Sequence, residues 1–208
     1  TTTSRYPFIA ANGDSRAMYI SRTNATAAVA GELAVTYNDA TSITQNLSVS
    51  DAGYQITERF NGNWLVSNEG TSVSSSSYRI VLIAQNALAT SNGNVRVMNA
   101  NAPLGGNHQS GTSTPGAQRI NVSQTDLLAA PLYIGINSSD LPFISIASGN
   151  WNSPATWNKN TVPSCTDVVT ISAGTAVTIN SSGNSSKIIN ILETGQLSVT
   201  SGDLTIGC

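Results

Sequence analysis

The sequence predicts an all-β protein: an N-terminal β-sandwich followed by a short β-solenoid-like or second small β module. Three observations predict it. Apolar and polar residues alternate through the first two thirds of the chain, which turns one strand face inward and the other toward water. Turn residues recur roughly every 10–15 residues between these runs, the habit of a sandwich. Beyond Pro142 the pattern becomes a glycine turn feeding a short alternating strand, as in the coils of a solenoid. The boundaries that follow are a sandwich over 1–136, a linker over 137–142 and a solenoid start over 143–208.

Taken in order, Met18 and Ile20 alternate with Tyr19 and Ser21, and Leu33, Val35 and Tyr37 with Ala34 and Thr36. Leu47 and Val49, then Tyr54 and Ile56, repeat the period. Tyr78–Ala84 is apolar on both faces and predicts a central strand; Val95 and Val97 begin another. Asn61-Gly62, between Phe60 and Trp64, and Asn92-Gly93, before Val95, tolerate positive φ and predict tight hairpins. Ser123-Gln-Thr-Asp126 ahead of Leu127 and Leu128 predicts a capped helical turn that stops before Pro131. Gly105–Gly116 lacks hydrophobic pattern, which predicts an exposed loop carrying the only histidine, His108. Asn137–Pro142 is polar and ends at proline, as a linker does. In the last segment, Gly174, Gly195 and Gly202 each precede an alternating strand, and their spacing suggests a multiple of seven. About two coils fit, and the chain reaches Cys208 in mid-pattern, so further repeats are expected downstream in the natural protein.

Composition narrows the function. The chain of 208 residues has 29 Ser, 23 Thr, 22 Asn and 17 Gly but only 10% charged residues and a net charge of −2. Without a cluster of Lys and Arg it lacks the means to grip a phosphate backbone, so nucleic acid is not an expected partner. No apolar run approaches the roughly 20 residues that span a bilayer, so membrane insertion is not expected. The start shows neither initiator Met nor a signal-peptide pattern, as expected for a mature product or a piece of a longer chain. Low charge with abundant hydroxyls suits an extracellular protein, where Cys165 and Cys208 either form one disulfide or remain two thiols at strand ends. The bond depends on the number of coils between them: one coil of separation permits it and two place the cysteines too far apart. Two cysteines and a distant histidine cannot supply four zinc ligands, and neither a calcium loop nor a phosphate-cradling loop occurs, so neither metal nor cofactor is expected. Six N-x-S/T sequons, at Asn24, Asn46, Asn121, Asn137, Asn180 and Asn184, match no more than this composition gives by chance.

Catalytic constellations are weak. Gly13-Asp14-Ser15 is similar to the start of one lipase/esterase family, but no Asp-x-x-His follows, and a turn before Met18 explains it better. Glu58 and Glu69 flank Trp64 and would face one another across a hairpin, but solvated hairpin acids are the plainer reading. No catalytic residue is assigned. Trp151 and Trp157 lie six residues apart around Pro154. Large apolar rings at that position suit the cap that closes a solenoid's first coil; exposed, they would stack on sugars, which makes them the carbohydrate-binding candidates.

The segments Ala147-Ser-Gly-Asn-Trp-Asn-Ser-Pro-Ala-Thr-Trp157, Val162-Pro-Ser-Cys-Thr-Asp-Val-Val-Thr-Ile171, Gly174-Thr-Ala-Val-Thr-Ile179, Gly195-Gln-Leu-Ser-Val199 and Ser201-Gly-Asp-Leu-Thr-Ile-Gly-Cys208 together resemble a module of large secreted and surface proteins of the Bacteroidota. Arg5-Tyr-Pro-Phe8, Arg16–Thr23, Asn63–Val66 and Pro131–Gly135 are similar to the domain that often precedes it. The resemblance implies an adhesin-like type IX secretion substrate, a solenoid extended by further repeats, and a location outside the cell. It implies no catalytic residues. The resulting expectation is a non-catalytic structural or adhesive segment of an extracellular protein or fibre. Its partners would be downstream repeats, neighbouring subunits and surface glycans. The alternative is a carbohydrate-binding module of a secreted multidomain enzyme.

Overall fold

The structure, a computed structural model, describes residues 3–23, 31–40, 42–70, 75, 77–85, 93–110 and 116–208. The chain divides into two compact units, Thr1–Asp140 and Leu141–Cys208. Both are built from β-strands, so the all-β expectation holds. Of the two predicted hairpin dipeptides, Asn92-Gly93 lies partly outside the described residues.

The first unit holds β1 (Thr3–Tyr6), β2 (Met18–Arg22), β3 (Glu32–Asn38), β4 (Ile43–Thr44), β5 (Val49–Asp51), β6 (Tyr54–Ile56) and β7 (Glu58–Glu69). They are followed by β8 (Tyr78–Ile83), β9 (Arg96–Asn99), β10 (Ala102–Pro103), β11 (Asn107–Gln109), β12 (Gly116–Val122), helix α1 (Gln124–Ala129) and β13 (Leu132–Ile136). One sheet runs β1-β2-β8-β12-β11 and a second β10-β9-β13-β7-β3, with β4 also on β7. Every pairing in them is antiparallel. β8 is central, as its two apolar faces predict: Ile80 and Leu82 join the main core, while Val81 and Ile83 pack under Ala17 and Tyr19. Met18 and Ile20 of the first sheet and Phe60, Trp64, Val66, Val97, Leu132 and Ile134 of the second are buried. Trp64 Nε1 donates to the carbonyl of Arg16, 2.7 Å away, and the Arg16 guanidinium lies over the Phe60 ring. The second sheet thus hides one face, as the period of two requires, while the first is covered on both faces along β8.

Three sequence expectations change here. Asn61-Gly62 makes no hairpin; it lies inside the 12-residue strand β7. Gly62 is needed for room instead of for positive φ, because a Cβ there would overlap the Phe60 ring and the Tyr37 hydroxyl. Glu58 and Glu69 consequently sit at opposite ends of one strand, about 36 Å apart at 3.3 Å per residue. Gly105–Gly116 is not a free loop along its described part. Asn107–Gln109 pair with β12, Leu104 is buried, and Arg119 donates to the carbonyls of Gly105 and Gly106. Residues 111–115 lie outside the described residues. The predicted helix forms: Ser123 Oγ accepts the Asp126 amide proton at 3.0 Å, and Leu127 is buried.

The stretch predicted as a linker belongs largely to the first unit. The 3-10 turn Ser138–Asp140 is laced to β6 and its flanks. The Asn137 amide donates to Tyr54 Oη (2.8 Å), the Ser138 amide to Thr57 Oγ1 (2.7 Å), and Tyr54 Oη to Asp140 Oδ2 (2.6 Å). Only Leu141 and Pro142 of that stretch fall on the other side of the division.

The second unit holds β14 (Phe143–Ile144), β15 (Gly149–Asn150), β16 (Val168–Ile171), β17 (Ala176–Ile179), β18 (Asn184–Ser186), β19 (Ile188–Ile191), β20 (Gln196–Val199) and β21 (Leu204–Ile206). They form three parallel ladders, β14-β16-β19, β15-β17-β20 and β18-β21. Val168 pairs with Ile188, Ala176 with Gln196 and Asn184 with Leu204, so the chain returns to the same face every 20 residues. Parallel ladders at a constant offset are what a coiling chain requires, but the period is 20 and not a multiple of seven. The glycine spacing misleads because the left-handed corner residue is Gly174 (φ 75°) in one coil and Thr194 (φ 67°) in the next. The first layer is longer: Phe143 pairs with Val169 and Gly149 with Val177. The extra residues, between β15 and β16, form the cap described next.

Candidate functional site: the two ends of the coiled unit

The residues singled out in the sequence as catalytic candidates are not brought together. Ser15 follows a turn in which Gly13 takes φ 87° and Asn12 Oδ1 accepts the Asp14 amide proton. Its own amide donates to Gln85 Oε1. His108 lies on β11, and between β2 and β11 stand β8 and β12, three strand spacings or about 14 Å. Ser15 and His108 therefore do not form a pair. The two glutamates discussed above are too far apart for glycoside chemistry, which needs carboxyls about 5–10 Å apart.

Trp151 and Trp157 close one end of the second unit. Strand β15 delivers Trp151 and the 3-10 turn Pro154–Thr156 delivers Trp157. Their rings meet edge to face with centroids 5.1 Å apart, and Phe143 meets Trp157 edge-on at 6.2 Å. Trp157 Nε1 donates to the carbonyl of Trp151 at 2.7 Å. Gly149 is required because Thr156 Oγ1, which donates to the Asn150 carbonyl, fills the space a Cβ would take. Trp151 and Trp157 are 0% and 1% exposed, so neither offers a face to a sugar. They pack on Val169, Ile171, Val177 and Ile179. Each ring hides on the order of 200 Å², worth roughly 5 kcal/mol as an upper estimate. The carbohydrate-stacking candidates are cap residues.

The other end is open. Register carries each inward side chain of the first full coil onto one of the last: Val169 onto Ile189, Ile171 onto Ile191, Val177 onto Leu197, Ile179 onto Val199 and Ser186 onto Ile206. The first four of the lower set are buried to 1% or less, whereas Ile191, Val199 and Ile206 are 51%, 59% and 58% exposed. Ile189, Leu197 and Leu204 are half covered from below. β19, β20 and β21 also end their ladders, and each leaves one row of backbone donors and acceptors without a neighbouring strand among the described residues. The end face is thus apolar in side chain and unpaired in backbone.

A disulfide joins Cys165, before β16, to Cys208, after β21, with α-carbons 5.6 Å apart. Forty-three residues is just over two of the 20-residue turns, a separation expected to be too great, so the bridge forms only because Cys165 lies in the turn Ser164–Asp167, outside the ladders, where ladder spacing does not apply. The Ser164 amide donates to Asp167 Oδ2 (2.7 Å), and the Lys187 amide one coil on donates to the Asp167 carbonyl (2.8 Å). The bridge pins the end of the open coil to the closed one.

Sequence reading missed a polar cluster in the first unit. Asp51, the last residue of β5, accepts Arg119 of β12 through both carboxylate oxygens and meets Arg96 of β9 at 3.5 Å. Three residues far apart in sequence meet there, and only the odd presence of Arg within the apolar strand beginning at Gly116 could have flagged it. Compared with protein-family models, with curated proteins and with solved structures, the chain gives no match in any of the three.

Proposed function

We propose that the chain is a non-catalytic structural segment of an extracellular or cell-surface protein or fibre, and that its second unit is the beginning of a β-solenoid. The observation that carries the proposal is the asymmetry of that unit. One end is sealed by Phe143, Trp151 and Trp157, and the other exposes apolar residues in register with a buried layer. An uncapped parallel coil templates the next: each ladder offers a strand edge, and each inward residue offers half of a packing contact. An occupant tethered to Cys208 escapes most of the entropy cost of association and is favoured over a free one. The seat therefore suits a further coil of the same polypeptide first and a neighbouring subunit second. A disulfide between strand-end cysteines and a surface rich in hydroxyls support an oxidising location outside the cell. The resemblance to adhesin-like modules of the Bacteroidota supports the same reading, with surface glycans as remote partners.

The test is to append after Cys208 a 20-residue coil patterned on residues 189–208, which continues the register of the 20-residue period. If the end is a template, the added residues acquire slow amide exchange and raise the melting temperature of the second unit by several degrees. Added residues that exchange like free peptide, with the melting temperature unchanged, refute the proposal.

A further inference from the structure

His108 is the only histidine in the chain and has no part in the scaffold role. It sits in the middle of β11, and its register partner on β12 is Arg119. Directly paired residues point to the same face of a sheet, so the imidazole and the Arg119 guanidinium share one side. There Arg119 binds Asp51 at 2.7 and 3.2 Å and the carbonyls of Gly105 and Gly106. Arg96 of β9 approaches the same carboxylate and donates to the Gly93 carbonyl at 2.9 Å. Two guanidiniums thus face one carboxylate.

Both ring nitrogens of His108 are shut off from solvent, and neither makes a well-formed hydrogen bond among the described residues, although the Gly93 carbonyl lies near enough to favour a proton. On balance such a place favours the neutral ring. Burial lowers the His108 pKa below the ordinary histidine value, and Arg96 and Arg119 push the same way, against the Gly93 carbonyl and Asp51. The other carboxylates nearby are engaged. Asp140 accepts from Tyr54 Oη, whose ring lies 4.1 Å from the Arg96 guanidinium. Asp126 of α1 packs on Gly105 and accepts from Ser123 Oγ at 2.6 Å.

We propose that His108 is an acid-operated latch on the edge strand β11. Neutral, it seats residues 104–109 against the Asp51–Arg119–Arg96 cluster. Protonated, it adds a third cation there and releases β11 from β12. Release uncovers the edge of β12 and its unpaired backbone groups, a surface for strand pairing. A histidine with a lowered pKa supports the closed state above the free value of about 6.5. Its support fades as pH falls from there toward the pKa of the closed state. Over that window the released state takes the proton first, and the opening constant rises by at most tenfold per pH unit.

The full chain provides the test, because a single histidine gives one imidazole signal in NMR. His108 should titrate below 6.5. Between pH 7.5 and 5 the amides of Asn107–Gln109, corrected for intrinsic exchange, should open severalfold more often below pH 6.5 and at a constant level above it. His108→Gln should abolish this rise. His108→Phe keeps a ring of similar bulk without a titrating group and should do the same if the glutamine variant folds poorly. A pKa at or above 6.5, flat opening of β11, or a rise that persists in His108→Phe overturns the proposal.

Discussion

Reducing the disulfide should loosen the second unit and leave the first untouched. Cys165 and Cys208 lie 43 residues apart, and both belong to Leu141–Cys208. In the chain-entropy model a loop of that length removes about 13 cal/mol/K from the unfolded ensemble, or about 4 kcal/mol at 25 °C. A unit of about 70 residues unfolds with an entropy near 150 cal/mol/K, so the loss corresponds to a melting shift of roughly 25 °C. Scanning calorimetry of the native chain, the reduced chain and the Cys165→Ser/Cys208→Ser variant would read it. The first unit contains no cysteine, and its transition serves as the internal reference. The native chain should show two transitions and the other two samples a second unit melting far earlier. A shift of the second unit below about 5 °C would refute the reasoning, because the bridge would then constrain the unfolded chain far less than the chain-entropy model requires.

Trp157→Ala should cost the second unit about 3–5 kcal/mol, since it removes a buried ring and orphans the cap; urea unfolding checks this. A variant of full stability that lost binding on a glycan array would instead restore a sugar-stacking role. Gly62→Ala should destabilise the first unit by about 1–3 kcal/mol, because the new methyl must displace the Phe60 ring or the Tyr37 hydroxyl. A hairpin glycine in positive φ would respond to Asn at that position with recovery, whereas Gly62→Asn should be worse than Gly62→Ala. Asp51→Asn should cost about 3–5 kcal/mol in denaturant melts, because it leaves Arg119 and Arg96 buried without a counter-charge.

Local pattern and long-range packing account for what the sequence disclosed and what it hid. Period-two alternation located β2, β3 and β6, and continuous apolarity located β8, because each follows from one strand's own faces. The Ser123 cap is equally local. Asn61-Gly62 misled because what fixes Gly62 is the Tyr37 hydroxyl on the neighbouring strand β3, which no local rule can see. The coil period was hidden by a substitution at the corner, where Thr194 takes the conformation that Gly174 takes one turn earlier. The apolar register, Val169 under Ile189 and Val177 under Leu197, carries the 20-residue period directly and is the better signal. The fates of Trp151 and Trp157 needed the first-layer insertion, and the Asp51 cluster needed three strands from three sheets.

Residue-resolved amide exchange on the dilute, oxidised chain tests the open end most directly. β16 and β17 have a strand on either side over Val169–Thr170 and Val177–Thr178, so the amides there should exchange slowly. In β19, β20 and β21 successive amides point alternately toward the covered side and the open side. Protection there should alternate, slow at amides bonded to the coil below, such as Gln196 to the Thr175 carbonyl, and fast at their neighbours. Uniform slow exchange along β19–β21 in a monomer would mean that the end is already covered, and would contradict a face built to receive the next coil.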